Sequence, residues 1–134
     1  MVEKKEKVLS SSEKKKKAFD NAWKFFSSYI KRRDKYVCIT CGASANQTGH
    51  FIHGKTKEIY FDERNVHAQC KKCNYYLSGA LDLYLRQLQL KYGVEKVDGL
   101  MAKRYKIKRW KIGELEEIFE KYRKKLTEGG EYKL

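Results

Sequence analysis

The chain has 134 residues and carries 31 Lys and Arg against 17 Asp and Glu, a formal net charge of +14, with 41% apolar residues. That length sets one domain, or one domain with an arm, and that apolar content excludes a wholly disordered chain. No apolar run nears the ~18–20 residues of a membrane span, no secretory pattern opens the chain, and proline is absent, so the expectation is a cytoplasmic protein without membrane spans or proline-rich linkers.

Residues 1–17 hold seven Lys and three Glu with few apolar residues and read as a flexible basic arm, an exposed helical extension being the other reading. Phe19, Ala22, Trp23, Phe26, Tyr29 and Ile30 recur at helical spacing. They predict a helix near 14–32 whose aromatic stripe faces a core. As an organisational unit, the N-terminal helix is assigned to 18–35.

From Tyr36 the pattern shifts to short β-prone pieces, Tyr36–Ile39, His50–Ile52 and Ile59–Phe61, punctuated by Gly42, Gly49 and Gly54. A helix is expected to begin near Cys70. It continues through Leu81, Tyr84, Leu85, Leu88 and Tyr92, with Gly93 as its stop and Ser78-Gly79 as an unresolved break. These residues define a middle unit, 36–93. The remainder, 94–134, contains the basic run KRYKIKRWK at 103–111 and a helix carried by Ile112, Leu115, Ile118, Phe119, Tyr122 and Leu126. That helix has acidic early turns and a basic end, as its dipole favours.

A charge this positive on so small a body favours a polyanion. Nucleic acid is the commonest such partner, while an anionic membrane surface and solubility alone are competing readings. The excess is uneven: residues 36–79 contribute only +2, and they hold all four cysteines.

Those cysteines form two C-x2-C pairs, Cys38/Cys41 and Cys70/Cys73. Each pair places two thiolates on one tight turn, and two such turns complete a tetrahedral four-sulfur zinc site. With four protein ligands no position is left open, so the zinc is structural, and its binding energy becomes folding energy. A redox pair or unligated core thiols are the alternatives. The 28 residues between the pairs are too many for a zinc ribbon and must build structure of their own.

That insert contains GHFIHG at 49–54 and DERNVH at 62–67, and Asn74 follows the last cysteine. The order His50…Asn65…Asn74 around the second C-x2-C pair resembles the HNH (ββα-metal) endonucleases, in the H-N-N variant of endonuclease VII-type junction resolvases. More narrowly, C-x2-C…GHFIHG…YFDERNVHAQCKKCNYYLSG is similar to the NinG/Rap recombination proteins of lambdoid phages. The similarity is strongest over roughly 36–90. It implies an α+β chain with a zinc-stabilised ββα-metal (HNH, treble-clef-like) core and flanking α-helices. It also implies metal-dependent hydrolysis of branched DNA such as Holliday junctions and D-loops, in the cytoplasm of a phage-infected cell.

On that reading His50 is the general base for water, since an imidazole of pKa near ~6.5 suits neutral pH. The family pattern implies that Asn65 holds the hairpin backbone and orients His50. Asn74 could give its carbonyl oxygen to Mg2+ or Mn2+, which prefer oxygen ligands. The residue before such a His is usually a metal-binding Asp, and here it is Gly49. His53, Asp62 and Glu63 are the candidates for the missing ligand. His53 needs a bend to reach it, because His50 and His53 would point to opposite faces of a straight strand. A structural hairpin histidine is the plainer reading of His50, and His67 divides evenly between a structural role and phosphate contact.

Lys71 and Lys72, at the start of the expected zinc-anchored helix, are phosphate-binding candidates. Lys55 and Lys57 extend the hairpin. Lys103, Arg104, Lys106, Lys108 and Arg109 could track a DNA backbone, with Tyr105 or Trp110 stacking on an unpaired base, or with Trp110 serving only as a core anchor. Such contacts read shape, not base sequence. A junction of near two-fold symmetry would suit a homodimer, for which the N- and C-terminal helices offer apolar faces. Recombination proteins are further candidate partners. The alternative functions are an HNH nuclease nicking ordinary duplex DNA and a non-catalytic zinc-knuckle DNA-binding module.

Overall fold

The structure, a computed structural model, describes residues 8–128. Residues 1–7 of the basic arm and 129–134 of the C-terminal segment lie outside the described residues. Helix α1 runs Ser11–Arg33. It begins well before the predicted position because Ser10 and Glu13 form a reciprocal cap. The Ser10 Oγ accepts from the Glu13 backbone N–H at 3.2 Å and donates to the Glu13 carboxylate at 3.0 Å. Lys14–Lys17 therefore belong to the helix, on good helix-forming residues.

The apolar stripe of α1 buries Ala22, Phe26 and Ile30, four residues apart, against helix α4 (Ile112–Glu128). Phe26 meets Tyr122 edge-on at 4.8 Å, and Phe25 meets Phe119 at 4.9 Å. The Arg32 guanidinium donates to the carbonyls of Lys125 and Leu126 near the end of α4, at 2.6 and 2.7 Å. The apolar faces expected to serve a homodimer are thus spent on each other within one chain, since each is the other's natural cover.

Lys35 and Tyr36 both take left-handed backbone conformations, φ 54° and 57°, and turn the chain sharply after α1. Two strands follow, β1 (Gln47–His50) and β2 (Val66–Gln69), paired antiparallel with Gly49 opposite His67 and His50 opposite Val66. β2 is buried throughout. The end of α1 fixes its position: Arg33 donates to the carbonyls of Glu63 and Val66, and Asp34 accepts from the Ala68 N–H at 2.8 Å.

The expected strand at Ile59–Phe61 is a 3-10 turn, Glu58–Phe61. Its three apolar residues all bury, Ile59 into one core and Tyr60 and Phe61 into another, which the alternating faces of a strand cannot arrange. The β-prone piece Tyr36–Ile39 contributes a single bridge, Val37 to Ser44. The helix expected from Cys70 onward is divided into a π-helical turn (Lys72–Tyr76) and helix α2 (Leu81–Tyr92). Ser78, Gly79 and Ala80 break it, with φ of 50°, 92° and 47°.

Gly93 stops α2, and its φ of 90° lets the chain restart at once as helix α3 (Val94–Ala102), which the sequence pattern did not announce. Val97 and Leu100 of α3 join Phe51, Ile59, Tyr84 and Leu88 in a second core. The first core lies between α1, α4 and residues 60–66. The fold is α+β, with helices around one small antiparallel sheet. No described helix is long and apolar enough to cross a membrane.

Candidate functional site

The two C-x2-C turns come together. The sulfur atoms of Cys38, Cys41, Cys70 and Cys73 all lie within 4.8 Å of one another, and those of Cys41 and Cys70 are 3.6 Å apart. A zinc about 2.3 Å from each of four tetrahedral sulfurs needs edges of roughly 3.8 Å, so the four residues fit such an ion. Local geometry supports each turn: the Gly42 N–H donates to the Cys38 carbonyl at 2.9 Å, and the Asn74 N–H to the Cys70 carbonyl at 2.9 Å. The surrounding apolar cluster is small, made of the cysteines with Ala45, Ala68 and Ala80. Among the described residues this is the one group of three or more His, Cys, Asp and Glu side chains whose ligand atoms converge.

His50 ends β1 on the face toward α1. Its ring stacks on Trp23 at 5.0 Å and on Tyr60 at 4.4 Å. Its Nε2 lies 3.0 Å from the Tyr60 carbonyl oxygen. A carbonyl can only accept, so Nε2 carries the proton and Nδ1 keeps the lone pair. Burial pushes this imidazole down to about 4, with the neighbouring His53 adding to the effect against the Tyr60 hydrogen bond. The ring is therefore neutral at physiological pH with a fixed tautomer, and burial makes it a weaker base than the imidazole of pKa near ~6.5 expected from the sequence.

Asn65 is fully buried and spans the loop that follows His50. Its Oδ1 accepts from the Ile52 N–H at 2.8 Å, and its Nδ2 donates to the carbonyls of Ile52 and Ile59. Its own carbonyl accepts from Phe51 N–H. The side chain thus ties the residues just after His50 to the residue just before Tyr60, the two points that hold the His50 ring.

His67 sits on the other face of the sheet. The Tyr84 hydroxyl spends its proton on the Gly49 carbonyl at 2.7 Å, so His67 Nδ1 must donate to the Tyr84 oxygen, and Tyr92 donates to Nε2. Full burial and both hydrogen-bond partners make His67 a structural pin rather than a phosphate contact.

Position 49 also faces away from His50. A Cβ there would fall on the Gln69 Oε1 atom, and the Asn74 Oδ1 atom is 2.9 Å from the same point. The Gln69 Nε2 donates to the Gly79 carbonyl at 2.9 Å, while Oε1 is buried with no hydrogen-bond partner. Asn74 donates through Nδ2 to Gln47 Oε1 at 3.1 Å. A side chain at 49 would have to displace the Gln69 carboxamide, so glycine there leaves room for Gln69, a residue that spacing alone did not single out.

After His50 the chain leaves the strand, and the His53 ring comes within 6.2 Å of the His50 ring. His53 Nε2 also lies 3.7 Å from the point a Cβ at Gly79 would occupy, so this side chain borders both faces. Asp62 and Glu63 are engaged elsewhere. Asp62 accepts from the Arg64 backbone and guanidinium, and Glu63 accepts from Tyr122 and pairs with Lys125 on α4. Neither carboxylate hydrogen-bonds or ion-pairs with His50, His53 or Asn74. The turn geometry that frees Asn65 for the hairpin sends both carboxylates toward cationic partners.

The basic run 103–111 lies beside the loop at 54–58. Ile107 bridges Lys57, Glu58 N–H donates to the Lys106 carbonyl, and Lys108 N–H donates to the Thr56 carbonyl. Lys55 shares one surface with Lys108 and Arg109, while Lys57 lies over the Tyr105 ring. A groove of about 360 Å3 there is lined by Lys15, Lys16, Lys55, Lys108, Arg109 and Trp110, among others. Lys15 and Lys16 reach it from the first turns of α1, in the stretch read from sequence as a flexible arm. Trp110 packs edge-on against Phe61 at 5.2 Å, as a core anchor. Tyr105 remains exposed between Arg104 and Lys57, and Lys103 and Lys106 flank it in sequence. Lys71 and Lys72 are exposed, but they open only a five-residue π-helical turn, too short to present the helix N-terminus expected there.

Comparison with known proteins matches the family model described as the Bacteriophage Lambda NinG protein over residues 2–130. Protein ninG of Escherichia phage 933W is 34% identical over 107 residues, covering 76% of this chain and 53% of that protein. The ninG proteins of Salmonella phage P22 and Escherichia phage lambda are each 33% identical over 107 residues, covering 76% of this chain and 52% of theirs. The chain spans about half the length of these curated relatives. No solved structure matches it. With a family match across nearly its full length, the chain belongs to the NinG family.

Proposed function

We propose that the protein is a structure-specific DNA endonuclease of the zinc-stabilised ββα-metal (HNH) type, cleaving branched recombination intermediates by metal-dependent phosphodiester hydrolysis. One observation carries this reading. His50 is held as a neutral imidazole of one tautomer, clamped by Trp23, Tyr60 and the Asn65-bound loop, while the Asn74 amide oxygen lies on the Gly49 side of the sheet, turned away from it. A buried histidine serving the fold alone would use both nitrogens, as His67 does. His50 commits one nitrogen to Tyr60 and keeps Nδ1 without a hydrogen bond to any described residue.

In the reaction Nδ1 takes the proton of an attacking water, and the Tyr60 carbonyl holds the resulting imidazolium through Nε2–H. Asn65 is a positioning residue that fixes this pair of contacts. The Asn74 amide oxygen suits a hard cation such as Mg2+ or Mn2+, which when bound supplies stabilisation of the charge that develops on the phosphate. The cationic groove and the run 103–109 would hold the backbone, with exposed Tyr105 available to stack on an unpaired base at a branch. All of these contacts read shape and charge, as a branch-selective enzyme requires.

The test is a labelled four-way junction and a matched linear duplex, each incubated with Mg2+ or with EDTA. The expected result is cleavage of the junction in Mg2+ only, with His50→Ala binding the junction almost as tightly and failing to cut it. Cleavage of both substrates would instead indicate a nuclease nicking ordinary duplex. Binding without cleavage would indicate a non-catalytic zinc-knuckle DNA-binding module, a reading that glycine in place of the usual Asp at position 49 leaves open.

A further inference from the structure

The turn after the last cysteine leaves four large apolar side chains in water. Tyr75 and Tyr76 are 69% and 67% exposed, and Leu77 and Leu81 are 48% and 44% exposed. The two rings meet edge-on at 5.1 Å. Apolar surface gathered in one place and left uncovered marks an interaction site.

The chain holds this turn out rigidly. Cys73 anchors it in the four-sulfur cluster. The Leu77 N–H donates to the Lys72 carbonyl at 2.8 Å, which closes the π-helical turn, and the Gly79 N–H returns to the Cys73 carbonyl at 2.8 Å. Ser78 and Ala80, neither of them glycine, take left-handed backbone conformations that L side chains disfavour. Strained backbone and single π-helical turns both concentrate where function needs a fixed shape. The tyrosines thus stand on a stiff support.

Charge identifies the occupant. From Arg64 through Leu81 there is no Asp or Glu, while Lys71 and Lys72 precede the aromatic pair. The Lys71 ammonium lies 5.9 Å from the centre of the Tyr76 ring. Ring faces beside ammonium groups suit a nucleobase and its phosphate. The turn also adjoins the loop that forms one wall of the cationic groove: His53 Nε2 is 3.7 Å from the point a Cβ at Gly79 would occupy, and Lys55, two residues on, lines the groove. Tyr105, by contrast, already has Arg104 and Lys57 over its ring, at 4.8 and 5.5 Å. A linear duplex hides its base faces in the stack, so only bases freed at a branch can use the tyrosine pair.

We propose that Tyr75 and Tyr76 form a base-stacking platform for unpaired bases at a DNA branch point, which tells branched from linear DNA while the groove holds the backbone of either. The inference rests on the branched-DNA part of the reading above and not on cleavage.

The measurement is fluorescence anisotropy of the zinc-loaded protein without added Mg2+, on a four-way junction, a matched linear duplex and a single-stranded oligonucleotide. The junction carries a fluorescent adenine analogue at the branch, and the single strand carries one at its middle. Both rings are exposed, so the variants should keep the zinc content and melting temperature of wild type, which are checked. Wild type is expected to bind the junction more tightly than the duplex and to quench the analogue. Tyr75→Ala together with Tyr76→Ala should cost about tenfold or more in junction affinity and abolish the quenching. Duplex affinity and its salt dependence should stay unchanged, because they come from phosphate contacts. Tyr75→Phe together with Tyr76→Phe should retain wild-type binding and quenching, since the ring face and not the hydroxyl stacks. Unchanged junction binding in the alanine pair, or equal weakening on junction and duplex, would overturn the proposal. Loss of the junction preference in Tyr105→Ala alone would move the role to Tyr105. A wild-type dimer that the alanine pair converts to a monomer, read by light scattering, would show that the turn binds a second copy and would also overturn it. A wild type without preference for the junction would remove the branched-DNA reading. Quenching on the single strand that the alanine pair loses would then keep the platform as a reader of unpaired DNA, and absence of that quenching would remove the platform as well.

Discussion

His50 and His67 sit back to back across the sheet, and burial keeps both imidazoles neutral. His50 is pushed down to about 4 and His67 to about 3, where the nearby Arg33 reinforces burial. An unfolded histidine titrates near ~6.5. As pH falls below that value the unfolded chain takes up protons that the folded chain refuses, so stability is complete above ~6.5 and declines toward pH 4 and below. NMR titration of the imidazole C–H resonances should place both midpoints below pH 5; midpoints near 6.5 would show that neither ring is held as described. Asn65 gives a second expectation. Asn65→Ala removes three hydrogen bonds and leaves the buried Ile59 carbonyl and the half-buried Ile52 carbonyl and N–H without this partner, a loss of about 3 kcal/mol. Urea unfolding should register it, and a loss under about 1 kcal/mol would mean that water replaces the side chain. His50, Asn65 and Asn74 were visible through the family resemblance, whose pattern sets Asn65 five residues before the second C-x2-C pair and Asn74 directly after it. Gln69 was hidden, because its relation to Gly49 exists only through the β1–β2 register and no spacing along the chain encodes it.

The two helices that clasp each other and the two strands that carry the site are held by different forces. α1 and α4 bury Phe26, Ile30, Leu115, Tyr122 and Leu126, large side chains whose burial contributes roughly 1.5–3 kcal/mol each. Around the cysteines the buried residues are mostly alanines, too small to hold two turns together, and there a metal held by the four cysteines would supply the stability. Chelation or Cys70→Ala is therefore expected to release amide protection across 37–50 and 66–80 while α1 and α4 keep theirs. Hydrogen exchange read by mass spectrometry checks this, and equal protection before and after zinc removal would refute it. The same contrast explains which elements were legible. α1, α2 and α4 announce themselves by long apolar periodicity. α3 has only Val97 and Leu100 buried and an internal Gly99, so its pattern is too short to stand out. Ile59–Phe61 looks like a strand because all three residues are β-prone and apolar, yet two separate cores claim them.

The positive charge is arranged, not spread evenly. α1, the 54–58 loop and the 103–109 run come from three distant parts of the sequence and meet along one groove, with Lys15, Lys55 and Arg109 on its walls. If DNA lies there, each cation that neutralises a phosphate steepens the dependence of log K on log salt by about 0.9. Lys55→Ala and Arg109→Ala should each flatten that slope by about 1 and weaken binding to junction and duplex alike, because phosphate contacts carry no base information. Lys108 also lines the groove but is paired to Glu114 at 2.6 Å, so its charge is partly spent and Lys108→Ala should flatten the slope by less. Lys124, exposed near the end of α4 and not among the groove's lining residues, serves as the reference: Lys124→Ala should leave the slope unchanged. Fluorescence anisotropy across a salt series measures all four variants. Equal slopes would mean that the nucleic acid responds only to overall charge, and the groove would then lose its claim as the path of the strand.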